Sequence, residues 1–218
     1  NPPEVTAAVV EAITTRGSVA TFPYDLDYEV GEQLVQMVPG VDKVRFANSG
    51  TEATMAAARL ARAYTGRNKI VQMEGGYHGF ADTHYWSSHP DVYSENPAPY
   101  SPEPRPGSRG IPPSYGEALL IAQYNDRENM EMLFDRYGDD IAAVLVEPIQ
   151  ANSGLIPPEP GYLEFLRDIT RQYGALLIFD EVITGFRVAP GGAQELYGVT
   201  PDITTMAKAL GGGYPIAA

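Results

Sequence analysis

Apolar residues recur along this chain with two different periods, and the alternation between them predicts its architecture. Val5, Val9, Ala12 and Ile13 form a helical stripe over residues 4–15, opened by Pro2 and Pro3. A second amphipathic stretch runs over 26–38, and an alanine-rich segment of high helical propensity covers 52–64. Asp126 is placed to cap a helix that reaches Tyr137, and 162–173 reads as a helix closed by Gly174. Between them lie short apolar runs at 44–47, 69–73, 141–146 and 176–179, each predicted as a strand. The last is apolar throughout, which predicts a central strand covered on both faces.

Strands alternating with helices imply an α/β fold with a mostly parallel sheet sandwiched by helices and right-handed crossovers. Ligands collect beyond the carboxyl ends of the strands of such sheets, and Ser49, Glu147 and Asp180 all fall at such ends. No periodicity persists over 74–115, where eight prolines stand between Pro90 and Pro113. No internal repeat or domain boundary is visible, so residues 1–218 read as one domain.

Composition narrows the function. The net charge of −13 argues against nucleic acid or an anionic membrane as partner, because both repel an acidic surface. The chain has no cysteine, which removes disulfides and thiolate metal sites. No stretch reads as a leader or a membrane span, and a cytoplasmic enzyme is expected. His78, His84 and His89 are loosely spaced with no carboxylate arranged beside them, so no metal site is expected.

Candidate chemistry sits at the strand ends. Ser49-Gly50-Thr51 lies between a predicted strand and a helix N-terminus, where free N–H groups, the helix dipole and two hydroxyls favour an anion such as phosphate. Simple helix capping accounts for the same residues. Asp180 ends an apolar strand, so its carboxylate needs a cationic partner. A protonated pyridine nitrogen would serve, and a turn aspartate is the plainer alternative. Lys208 stands 28 positions later, between Met206-Ala207 and Ala209-Leu210 and ahead of three glycines. An unprotonated lysine there forms an imine with an aldehyde, then moves a proton between carbons once an amine displaces it. Its apolar flanks argue against a solvated lysine. Tyr77 could stack on a planar heterocycle with His78 in support, and a packed turn aromatic is equally compatible. Glu147, Gln150, Asn152 and Arg187 are polar groups beside buried strands, each open to a functional or a structural reading.

Five segments taken together resemble the class III pyridoxal-phosphate aminotransferases. They are Phe46-Ala47-Asn48-Ser49-Gly50-Thr51-Glu52-Ala53, Tyr77-His78-Gly79, Val146-Glu147-Pro148, Phe179-Asp180-Glu181-Val182-Ile183-Thr184-Gly185-Phe186-Arg187 and the Lys208 segment, in order and at compatible spacing. Within that family the chain most resembles the glutamate-1-semialdehyde 2,1-aminomutase subfamily. The resemblance implies the fold-type-I large domain and the cofactor pyridoxal 5'-phosphate. Lys208 would be the Schiff-base lysine and Asp180 the partner of the ring nitrogen. Ser49, Gly50 and Thr51 would hold the phosphate, Tyr77 and Val182 would cover the two ring faces, and Asn152 would reach the phenolic oxygen. His78 and Glu147 complete the expected cofactor-binding set. The implied substrates are a small amine or amino acid with a keto acid, or an amino-aldehyde, and the implied assembly is a homodimer.

Ile183 and Asn152 follow the aminomutase-like pattern, where ornithine- and γ-aminobutyrate-type members carry Gln and Glu. Trp86-Ser87-Ser88-His89-Pro90 and the proline-rich stretch replace that subfamily's Gly/Ser-rich gating loop, and Thr21-Phe22-Pro23-Tyr24 replaces its small-residue turn. Residues 81–115 are accordingly expected to form a substrate lid of altered specificity. Relative to the family, the small domain and the C-terminal part are expected to be missing. A catalytically incomplete binding or assembly module is therefore the rival to an active transferase.

Overall fold

The structure is a computed structural model that describes residues 2–17, 24–89 and 103–218. Among them, five strands form one sheet: β1 (Lys69–Met73), β2 (Leu119–Ala122), β3 (Ile141–Val146), β4 (Leu176–Asp180) and β5 (Ile203–Thr205). Their order is β2-β1-β3-β4-β5, and every neighbouring pair is parallel. The chain moves outward from β1 to β2, crosses back to β3, and then proceeds the other way. That reversal puts a topological switch point between β1 and β3, where a crevice opens beyond the strands' carboxyl ends.

Successive residues of each strand face opposite sides, and each side has its own helices. Val71, Met73, Val144, Val146, Leu177 and Phe179 pack with residues of α4 (Arg127–Tyr137) and α5 (Tyr162–Tyr173), including Leu133, Phe134 and Leu166. Ile70, Ala143, Leu145 and Ile178 face the other way, onto Ala57, Ala58 and Ala61 of α3 (Gly50–Thr65). Alanines on that face let the helix lie close to the sheet. All six residues of β3 are buried, as a strand covered on both faces must be.

Several expectations change. Residues 44–47 are not a strand: Ala47 alone pairs, in an isolated antiparallel bridge with Ala217, while Val44 and Phe46 pack as partly buried side chains beside Leu34 and Met206. An apolar run needs a continuous partner edge to become a strand, and here only one residue has one. The stripe on α1 (Pro3–Arg16) buries no residue, and Ile13 is 61% exposed. The second helix, α2 (Asp25–Met37), falls where periodicity placed it and buries Leu34. Missed altogether are β2, the three-residue β5 and the short α6 (Gly192–Tyr197). The first adjoins the proline-rich stretch, and the others are too short for a period to show.

The lid expected over 81–115 lies partly outside the described residues, at 90–102, as does the Thr21-Phe22-Pro23 part of the first substrate loop. The described flanks are fastened to each other and to the body. Ser87 N–H donates to Arg105 O at 2.7 Å, and Gly107 N–H to Tyr85 O at 2.8 Å. Trp86, 3% exposed, packs in the α3-side core and donates its indole N–H to Asp82 O.

Candidate active site

The carboxyl ends of β1, β3 and β4 and the N-terminus of α3 converge on one pocket of about 120 Å³. Asp180, the last residue of β4, is 3% exposed and sits at its base. Its Oδ2 lies 2.7 Å from His78 Nδ1, and its Oδ1 accepts from Val182 N–H at 3.1 Å and Thr205 Oγ1 at 3.3 Å. Sequence reasoning gave Asp180 a bound cation as partner and His78 a supporting role beside Tyr77. The structure joins the two directly across 102 positions, a pairing that no local spacing signals. His78 Nε2 is buried without a hydrogen-bond partner among the described residues, which leaves that edge of the imidazole available to a further group.

The Tyr77-His78-Gly79 turn is held in three ways. Thr54 Oγ1 donates to His78 O at 2.8 Å. Glu147 Oε1 accepts from Tyr77 N–H at 2.9 Å. Gly79 has φ +93°, and a Cβ there would lie 2.8 Å from Thr51 Cα, so only glycine lets the turn close onto α3. Gly50 is similarly confined, since a Cβ would stand 3.0 Å from Val182 Cγ2.

At the start of α3, Ser49 Oγ accepts from Glu52 N–H at 3.3 Å, and Glu52 Oε2 accepts from Asn48 N–H at 2.8 Å. Ser49 thus caps the helix, the plainer reading of this residue, and Glu52 ties down the preceding Asn48. The first N–H groups of any helix have no intrahelical acceptor, so those of Gly50 and Thr51 remain directed toward the pocket end. Both residues line the pocket; Ser49 does not.

Lys208 also lines it, on the opposite side from the expectation of burial: its side chain is exposed, with φ +45° at the head of a 3-10 turn, Lys208–Gly211. The apolar flanks are accounted for by their own packing. Met206 and Ala207 are buried at 4% and 6%, and Met206 pairs with Ala218 through two backbone hydrogen bonds. The turn then swings Lys208 outward to the pocket mouth. Asn152 is exposed and donates to Ser88 O at 3.2 Å, outside the pocket lining. Arg187 is exposed and bonds Ile183 O. Gln150 is buried and donates to Glu74 O and Ser153 Oγ.

A larger cleft of about 980 Å³ runs behind α3, but none of Lys208, Asp180, His78 or Tyr77 reaches it. The convergence of buried polar groups, rather than volume, marks the smaller pocket as the candidate site. The small pocket falls short of the roughly 300–1,000 Å³ of typical ligand sites. These residues make the floor and sides of a site rather than an enclosed chamber.

Two buried polar residues that sequence reasoning did not assign lie outside the pocket lining. Glu181, fully buried, accepts from Thr184 Oγ1, the N–H groups of Ala193 and Gln194, and Gln194 Nε2. It anchors the loop that carries Val182 and Ile183. His84, 1% exposed, lies with Nδ1 2.7 Å from Gln72 Nε2, and burial pushes its pKa down to about 3. A histidine whose folded pKa is depressed stabilises the fold fully above its unfolded pKa, and that contribution is lost as pH falls toward the folded value. Between pH 7 and pH 5, urea unfolding is therefore expected to show the parent losing about 2 kcal/mol more stability than His84→Gln. Equal losses would show that His84 is not neutral and buried.

A profile of the family described as aminotransferase class-III matches residues 1–218. The chain belongs to the class-III aminotransferases. It is 49% identical over 216 residues to a glutamate-1-semialdehyde 2,1-aminomutase of Brevibacillus brevis, covering 99% of this chain and 48% of that protein. Among solved structures, an omega-transaminase from Sphaerobacter thermophilus superposes with a TM-score of 0.90 at 40% identity, over 99% of this chain and 48% of that one. A glutamate-1-semialdehyde aminomutase from Pseudomonas aeruginosa PAO1 superposes with a TM-score of 0.84 at 30% identity, over 99% of this chain and 45% of that one. The chain thus spans about half the length of the class-III relatives it matches, and its sheet and flanking helices are those of the fold-type-I aminotransferases. Among the described residues, no helix is long and apolar enough to cross a membrane.

Proposed function

We propose that this chain carries the cofactor-holding half of a pyridoxal-phosphate-dependent amino-group transferase. The observation that supports it most is the buried Asp180–His78 pair at the end of β4, with Lys208 at the mouth of the same pocket. The residues fit the cofactor. Gly50 and Thr51 present N–H groups and a hydroxyl for the phosphate, with Ser49 beside them. Tyr77 and Val182 stand ready for the two ring faces, and Asp180 for the ring nitrogen. Asn152 is the proposed contact of the phenolic oxygen, and residues 81–115 the proposed lid. When bound, the cofactor supplies an electrophilic aldehyde and a ring that withdraws electrons from an adjacent carbanion.

The chain's own residues do the rest. Asp180, fixed by His78, Thr205 and the Val182 N–H, holds one orientation at the ring-nitrogen position without reorganising. Lys208 would be the amine that holds the aldehyde and, when free, the base that would carry a proton at the substrate carbon. Its exposed position lets the amine swing between these tasks.

The proposed substrates are a small amine or amino acid with a keto-acid acceptor, or a single amino-aldehyde whose amino group moves to the neighbouring carbon. The proposed setting is the cytoplasm, and the proposed assembly, a homodimer, rests on the family resemblance alone. The deciding experiment incubates the chain with pyridoxal phosphate and an amine, with and without keto acid, and follows conversion of the cofactor to pyridoxamine phosphate. Amine-dependent conversion supports the reading. A protein that leaves the aldehyde unchanged under all conditions is the binding module instead. Turnover of glutamate-1-semialdehyde without any acceptor selects the aminomutase branch.

A further inference from the structure

Glu147 occupies the switch point between β1 and β3, yet none of the steps above uses it. It follows β3 directly, is 5% exposed, and lines the pocket with His78 and Asp180. Its two oxygens are divided between two loops. Oε1 accepts from Tyr77 N–H at 2.9 Å, and Oε2 accepts from Ala151 N–H at 3.1 Å. No described cationic side chain forms an ion pair with it. Burying a carboxylate that way is costly, and desolvation raises its pKa, with His78 and the two N–H groups opposing the shift.

A residue kept at such a cost does something that a neutral side chain cannot. Two N–H groups converge on it from different directions, and each needs its own acceptor atom. Glutamine has one oxygen, and its NH₂ group would face the second N–H as donor to donor. The neighbouring carbonyl of Pro148 already accepts from Tyr124 Oη at 2.7 Å.

We propose that Glu147 is the positioning residue of this site. Its carboxylate fastens the Tyr77-His78-Gly79 turn to the loop after β3, and so fixes both the Tyr77 ring and the imidazole that orients Asp180. The clamp ties the two loops that flank the switch point, one from each side of the crevice. What Tyr77 packs against rests on the proposed function; the clamp itself does not.

Amide hydrogen exchange of the chain without cofactor tests the clamp. In Glu147→Gln, the Tyr77 or the Ala151 amide exchanges at least about tenfold faster, the size expected from losing one buried hydrogen bond. The Glu74 and Gln150 amides, bonded to Ala122 O and Ile156 O, keep their protection. Unchanged protection at both Tyr77 and Ala151 overturns the proposal.

Should the variant not fold, the unsubstituted chain answers. Tyr77 and Ala151 amides held by one carboxylate open together, and protection factors differing by more than about tenfold overturn the clamp. A cofactor titration of the folded variant, read by absorbance, is expected to show about tenfold weaker capture with the same final band through Lys208. If neither parent nor variant captures pyridoxal phosphate, the proposed function fails while the exchange data still decide the clamp.

Discussion

Replacing Lys208 with alanine is expected to abolish the absorption band that the parent develops with pyridoxal phosphate. Amine-dependent conversion should fall by up to on the order of 10⁴-fold, the upper range for removing a positioned acid–base group. The substitution should leave the fold intact. Lys208 is exposed, its side chain makes no hydrogen bond with another described residue, and it sits on a turn set by its neighbours. Its positive φ is an unfavourable conformation for lysine, and alanine meets the same penalty, so backbone strain cancels in the comparison. Thermal unfolding within a few degrees of the parent, together with loss of the band, assigns the chemistry to the amine. A band that persists in the variant would place capture on another lysine and remove Lys208 from the reaction.

Asp180→Ala carries the second large effect, and it divides differently. Loss of the carboxylate should lower conversion on the order of a thousandfold, as removal of a preorganised electrostatic partner does, while aldehyde capture by Lys208 survives. Stability should fall as well. His78 Nδ1, the Val182 N–H and the Thr205 hydroxyl all lose an acceptor inside the protein. Each such buried orphan costs about 1–3 kcal/mol. Asp180→Asn keeps one oxygen for these donors and restores most of the stability without restoring conversion. Recovery of conversion in the asparagine variant would show that shape, not charge, is what the position supplies. Absorbance titration, single-turnover conversion and urea unfolding on the same three proteins separate these outcomes.

The parts of the site that could be read from sequence share a property. Ser49-Gly50-Thr51, Asp180 and Lys208 each stand where a local pattern changes, at a strand end, a helix start or a glycine run. The chemistry there is set by the residue and its immediate neighbours. The long elements were legible for the same reason, since an alanine-rich run marks α3, Gly174 closes α5, and β3 is an unbroken apolar run. Residues 44–47 show the limit. Their apolar run matches a strand, but only a partner edge could make them one, and Ala217 supplies a single bridge.

What the sequence alone determined is the α/β class, the parallel sheet, and the candidate residues at its strand ends. The tertiary structure decided how those residues serve one another. The strand order 2-1-3-4-5 brings the end of β1 beside the ends of β3 and β4. It thereby pairs His78 with Asp180 and divides Glu147 between two loops. It also turned Lys208 outward despite apolar neighbours, because Met206 and Ala207 are consumed by their own packing. Periodicity and turn chemistry act over a few residues and are written into the chain. A hydrogen bond spanning 102 positions depends on register and strand order, which follow from packing the whole sheet.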